Sequence, residues 1–124
     1  MQYNKIMVHD VKYRFTMWND NRISYDTKKV KIKMEAIMNK VLEEIKKIGI
    51  VPVVVLDDAK DAEPLAKALC EGGLPCAEVT FRTEAAEESI HIISEKYPEM
   101  LVGAGTVLTT EQVDRAVAAG AKFI

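Results

Sequence analysis

Cysteine is scarce in this sequence, with only two among 124 residues. Cys70 and Cys76 stand six positions apart, which fits neither a C-x-x-C redox pair nor a zinc knuckle, so both read as buried, reduced thiols. Histidine is as rare: His9 and His91 lie far apart, with no acids or thiols gathered round them, and a metal centre has no support. Long apolar runs are missing too. None approaches the ~20 residues that a membrane helix needs, and the N-terminus lacks the unbroken apolar stretch of a secretory signal. A soluble chain in the cytoplasm, with no membrane partner, is the expectation. Neither charge sign dominates, the net charge being −2.

What the sequence does hold is a hydrophobic content of 48%, enough for the packed core of one domain. The charges are unevenly placed. Residues 1–33 carry eight Lys or Arg against three Asp, while the rest carries nine against sixteen acids, so the first segment is a separate unit by composition. Five of the eight aromatics, Tyr3, Tyr13, Phe15, Trp18 and Tyr25, also fall there. Val11, Tyr13, Phe15 and Met17 alternate with polar residues, Asn19-Asp20-Asn21 offers a turn, and Val30, Ile32 and Met34 alternate with Lys31 and Lys33. That pattern predicts a β-rich extension, an amphipathic hairpin or meander. Basic residues between aromatics could also meet nucleic acid, but a solvated charged face is the commoner meaning. A second unit is expected over 34–124, opening with a helical pattern at Val41–Lys47.

From there strand and helix alternate every ~25 residues, which means βα units and a parallel sheet. Val51–Leu56 reads as a strand covered on both faces. Ala62, Leu65, Ala66, Leu69 and Cys70 follow at helical spacing, ended by Gly72-Gly73. Cys76–Thr83 is a second strand. Thr83 is placed to cap a second helix containing Ile90 and Ile93, which Pro98 stops. Leu101-Val102-Gly103 runs into Ala104-Gly105-Thr106, Thr110–Ala119 forms a third helix closed by Gly120, and Phe123-Ile124 starts a fourth strand.

The second of these strands is the most informative. Its period of two puts Glu78, Thr80 and Arg82 on one face and Ala77, Val79 and Phe81 on the other. Pattern alone also fits an edge strand with an ordinary wet face. Ligands of parallel sheets collect at the carboxyl ends of the strands, however, and Arg82 and the Gly103–Thr106 turn both fall there.

With these residues placed, the stretch from about Val41 to Ile124 resembles the first half of the class I aldolases acting on 2-keto-3-deoxy-6-phosphogluconate and 4-hydroxy-2-oxoglutarate. The resemblance rests on Ile50-Val51-Pro52-Val53-Val54, Ala66-Lys67-Ala68-Leu69 with Gly72-Gly73, Glu78-Val79-Thr80-Phe81-Arg82-Thr83 and Gly103-Ala104-Gly105-Thr106-Val107-Leu108. It implies an α/β fold, about the first four βα units of a (β/α)₈ TIM barrel. It also implies that Glu78 is the general acid/base, working through water, and that Arg82 and Thr106 bind the carboxylate of the pyruvate moiety. The family uses no cofactor. Its substrate is a small keto acid, and its full-length members are homo-oligomers, trimers in the family at large.

The departures carry expectations of their own. The family's Schiff-base lysine lies in a Phe-Phe-Pro-Ala-type segment on a later strand, so the chain is expected to stop before it and to be inactive alone. Lys122 is at the wrong end and strand to replace it. Many relatives carry an arginine about where Val55 stands here. Two other readings compete: a non-catalytic half-barrel used for oligomerisation or as a scaffold, and a phosphoacceptor domain suggested by Asp57-Asp58. The second of these is weakened because the third strand ends in Gly103–Thr106 without an aspartate.

Overall fold

The computed structural model describes residues 27–124, and the hairpin and turn expected over residues 11–21 lie outside them. Helix α1 spans Thr27–Ile48, a much longer helix than the Val41–Lys47 pattern implied. Val30, Ile32 and Met34, expected on a strand, are helical, and the boundary drawn at 33/34 falls inside α1. The physical reason is continuity. Lys, Met, Glu and Ala, all good helix formers, run from this stretch into Val41–Lys47, and a helix once nucleated gains a bond with every residue added. Lys46 and Lys47 suit the negative end of the helix. Gly49, at φ 81°, then turns the chain out of it while its N–H donates to the Ile45 carbonyl at 2.8 Å.

Three parallel strands follow, β1 (Val53–Val54), β2 (Cys76–Thr80) and β3 (Leu101–Gly105), in the order β1-β2-β3. Between and after them come α2 (Ala62–Glu71), α3 (Ala86–Lys96) and α4 (Thr110–Ala118), with a 3₁₀ turn at Ala59–Asp61. The result is an α/β fold of one parallel sheet and four α-helices among the described residues. Pro64 is tolerated in α2 because it falls in the first turn, where its missing N–H would have had no helical partner.

Register decides which side chain meets which layer. Val54, Val79 and Ala104 align across the sheet, as do Val53, Glu78 and Gly103. The first set, with Ala77 and Val102, packs against Ala62, Ala66, Ile90, Ile93 and Ala116 of the helices in the main core. On the opposite face, here called the inner face, Cys76, Leu101 and Phe123 pack with Val41, Ile45 and Ile48. Those last three recur at i, i+4 and i+7, one stripe of α1, so this helix covers the amino-terminal half of the inner face.

Two strand expectations change. The Val51–Leu56 run is not covered on both faces, since Val53 is 61% and Val55 46% exposed at the sheet edge. Phe123-Ile124 forms no assigned strand, although it lies alongside β3: Lys122 N donates to Val102 O at 2.8 Å and Ala104 N to Phe123 O at 3.0 Å. A regular parallel pairing would return that second bond to the carbonyl of Lys122.

Candidate active site

The carboxyl ends of β2 and β3 form one ledge. Glu78 lies on the inner face, between Val53 and Gly103 in register, while Val79 points into the helix-side core, as the period-two alternation predicted. The Glu78 carboxylate reaches onward to lie over Gly105, so closely that a Cβ there would overlap it. Phe123 uses Gly103 in the same way, its ring filling the space a side chain would take. Glycines in β3 thus have a positional meaning: they let one carboxylate and one ring lie directly on the sheet.

Thr80 ends β2 and aligns with Gly105. It is 1% exposed, and its hydroxyl has no hydrogen-bond partner. Leaving a buried hydroxyl unpaired costs about 1–3 kcal/mol. Ser89, the other buried polar residue among those described, shows the ordinary outcome, since its hydroxyl donates to Ala85 O at 2.6 Å.

Arg82 lies in the turn that follows β2 and is exposed, with no salt bridge among the described residues. That turn is fixed from two sides. Phe81 N donates to Gly105 O at 2.8 Å, and the Thr83 hydroxyl donates to Leu56 O at 2.5 Å. Thr83 is therefore not the N-cap of α3. That position belongs to Ala85, which makes no side-chain cap, because the hydroxyl instead ties the end of the first strand segment to the turn after β2. Thr106 follows β3 directly, partly buried and at φ 55°. Left-handed backbone at a β-branched residue is a true outlier and a mark of local strain.

Cys76 is the base of the inner-face row. Burial first, and then the Glu78 charge, push its thiol above the ordinary range, so it behaves as a small apolar group. Asp58 is also explained by the fold. Its carboxylate accepts from Lys60 N at 3.0 Å and pairs with Lys60 Nζ at 2.7 Å, which caps the 3₁₀ turn and holds the acid below its ordinary range.

Among the described residues, no lysine hydrogen-bonds or pairs with Glu78. Lys122 is directed to the amino end of β3, where Nζ donates to Pro98 O at 2.8 Å and Met100 O at 2.9 Å. No group of three or more His, Cys, Asp or Glu converges as metal ligands among the described residues. A groove of about 310 Å³ lined by Glu84, Glu87, Glu88, His91, Ala118 and Ala119 belongs to α3, α4 and the turn before α3. Its lining joins three carboxylates and one imidazole, and one of those carboxylates, Glu87, is already paired with Arg115.

Sequence reasoning placed Glu78, Arg82 and Thr106 here but assigned nothing to Thr80. The alternation put its hydroxyl in the polar row, and only the packed structure reveals that nothing among the described residues receives it. The room Gly105 gives the carboxylate was equally hidden.

Comparison with known proteins gives the family. The family model "KDPG and KHG aldolase" matches residues 41–124. The 2-dehydro-3-deoxy-phosphogluconate aldolase of Treponema pallidum is 49% identical over 84 residues, covering 68% of this chain and 40% of the relative. That of Haemophilus influenzae is 44% identical over 91 residues, covering 73% and 43%. The chain thus spans about two fifths of the length of these relatives. A KDPG aldolase structure from Legionella pneumophila, holding pyruvate as a covalent carbinolamine, superposes with a TM-score of 0.55 at 45% identity, over 57% of this chain and 34% of that one. The Zymomonas mobilis enzyme gives 0.53 at 48% identity over the same shares.

Proposed function

Because the chain belongs to the KDPG and KHG aldolase family, we propose that it carries the proton-transfer and keto-acid-binding part of a class I aldolase site. The observation that bears this reading is the Glu78 carboxylate lying on Gly105 at the strand ends, with Arg82 in the next turn and Thr106 after β3. Each chemical need then has a residue. Retro-aldol cleavage begins when a base takes the proton of the substrate hydroxyl, and Glu78, through water, is that base. As the carbon–carbon bond breaks, its electron pair flows into an iminium formed on a lysine. Glu78 then returns a proton to the pyruvate carbanion equivalent. Arg82 holds the keto-acid carboxylate with charge-assisted hydrogen bonds, and the Thr106 hydroxyl adds another.

On this reading the substrate is 2-keto-3-deoxy-6-phosphogluconate, split into pyruvate and glyceraldehyde 3-phosphate, or 4-hydroxy-2-oxoglutarate, split into pyruvate and glyoxylate. The described sheet is the first part of a (β/α)₈ barrel whose iminium-forming lysine lies outside residues 1–124. Borohydride trapping tests both parts. The 124-residue chain is expected to give no pyruvate adduct, and an adduct on any of its lysines would overturn the assignment of the electrophile. In a chain extended to the length of its relatives, Glu78→Gln should lower turnover about 10²–10⁴-fold while still forming the adduct. Arg82→Ala should chiefly weaken pyruvate binding. Full turnover in Glu78→Gln would remove Glu78 from the mechanism.

A further inference from the structure

The Thr80 hydroxyl is the one buried side-chain polar atom among the described residues left without a partner. Its surroundings indicate what it is for. On one side in register is Gly105, which has no side chain to offer, and the space above Gly105 is filled by the Glu78 carboxylate. Within β2, Thr80 follows Glu78 by two residues on the same face, and the turn bearing Arg82 comes directly after it. A ligand held by Arg82 and served by Glu78 must therefore lie across Thr80. Rotation of Glu78 off Gly105 would open a space bounded by the bare glycine and this hydroxyl.

We propose that Thr80 is a further binding residue of the site, its hydroxyl donating a hydrogen bond to an oxygen of the bound keto acid once the Glu78 carboxylate has moved. This rests on the keto-acid reading of the ledge. A buried threonine with an unused donor fits a group kept for a ligand, since a valine of the same shape would fill the position without the penalty of an unpaired hydroxyl. It also predicts discrimination. A site with a donor waiting at that point favours an oxygen there over a methylene, because the analogue would leave the hydroxyl unpaired again.

The test uses the 124-residue chain with pyruvate as the probe, following the amide signals of Gly105 and Thr106 by NMR, alongside thermal melts. Thr80→Val is expected to melt at or above the wild-type temperature and to bind pyruvate about tenfold more weakly, with Thr80→Ser restoring affinity. A clear fall in melting temperature for Thr80→Val that Thr80→Ser restores would assign the hydroxyl to the fold and overturn the proposal. Unchanged pyruvate affinity in Thr80→Val, with Arg82→Ala weakened, would overturn it while leaving the keto-acid reading intact. Absence of pyruvate binding by the wild-type chain would overturn the proposal, whereas the keto-acid reading falls only if the extended chain also fails to form the pyruvate adduct.

Discussion

Thr106 is held at φ 55°, where its branched side chain crowds the backbone, and the strain sits at the carboxyl end of β3 beside the Glu78 carboxylate. Replacing it with glycine removes the steric cost, which outweighs glycine's larger loss of chain entropy. Thr106→Gly should therefore raise stability by ~0.5–1 kcal/mol in a denaturant titration and weaken pyruvate binding; a loss of stability would mean the conformation is unstrained. Single residues also set the limit of what the sequence reveals. Glu78 was legible because a strand's alternation fixes its face once Val79 is known to be apolar. Thr83 was not: hydroxyls before a helix usually cap it, and its actual acceptor, the Leu56 carbonyl, is 27 positions away. Sequence spacing carries no trace of such a contact.

At the scale of elements, α4 has the most complete local code. Thr109 accepts from Gln112 N at 3.2 Å while Gln112 Oε1 accepts from the backbone N–H groups of Leu108 and Thr109, a capping box written as Thr-x-x-Gln. Thr109→Ala should cost about 1 kcal/mol in a denaturant titration, and a neutral result would mean water replaces the cap fully. Helices α2 and α4 and the cores of β2 and β3 were legible because apolar spacing and glycine stops act within a few residues. Helix α1 was misread where Val30, Ile32 and Met34 mimic a strand period among lysines that propagate a helix equally well. The length of β1 was hidden for another reason: an apolar run states that residues avoid water, not that a partner exists to cover them. Val53 and Val55 have none on the inner face among the described residues.

For the whole molecule, that bare edge governs behaviour in solution. Ile50, Val53 and Val55 are 65%, 61% and 46% exposed, and among the described residues β1 has one side without a neighbouring strand. Such edges pair with one another. At micromolar concentration, light scattering of the 124-residue chain should find dimers or larger species, and Val53→Lys should shift them toward monomer. A monodisperse monomer with a sharp cooperative melt would refute this. The barrel reading rests on the resemblance alone, since three strands and their helices do not state how a sheet closes. The inner floor adds a matter of timing. Val41 of α1, Cys76, Leu101 and Phe123 form one cluster, and the Phe123 ring fills the place left over Gly103. Roughly 80 residues separate its first member from its last, so at ~5–20 residues per second a ribosome needs about 4–16 s between delivering the two. Throughout that interval the cluster cannot close, so the inner floor is completed only once Phe123 has been made.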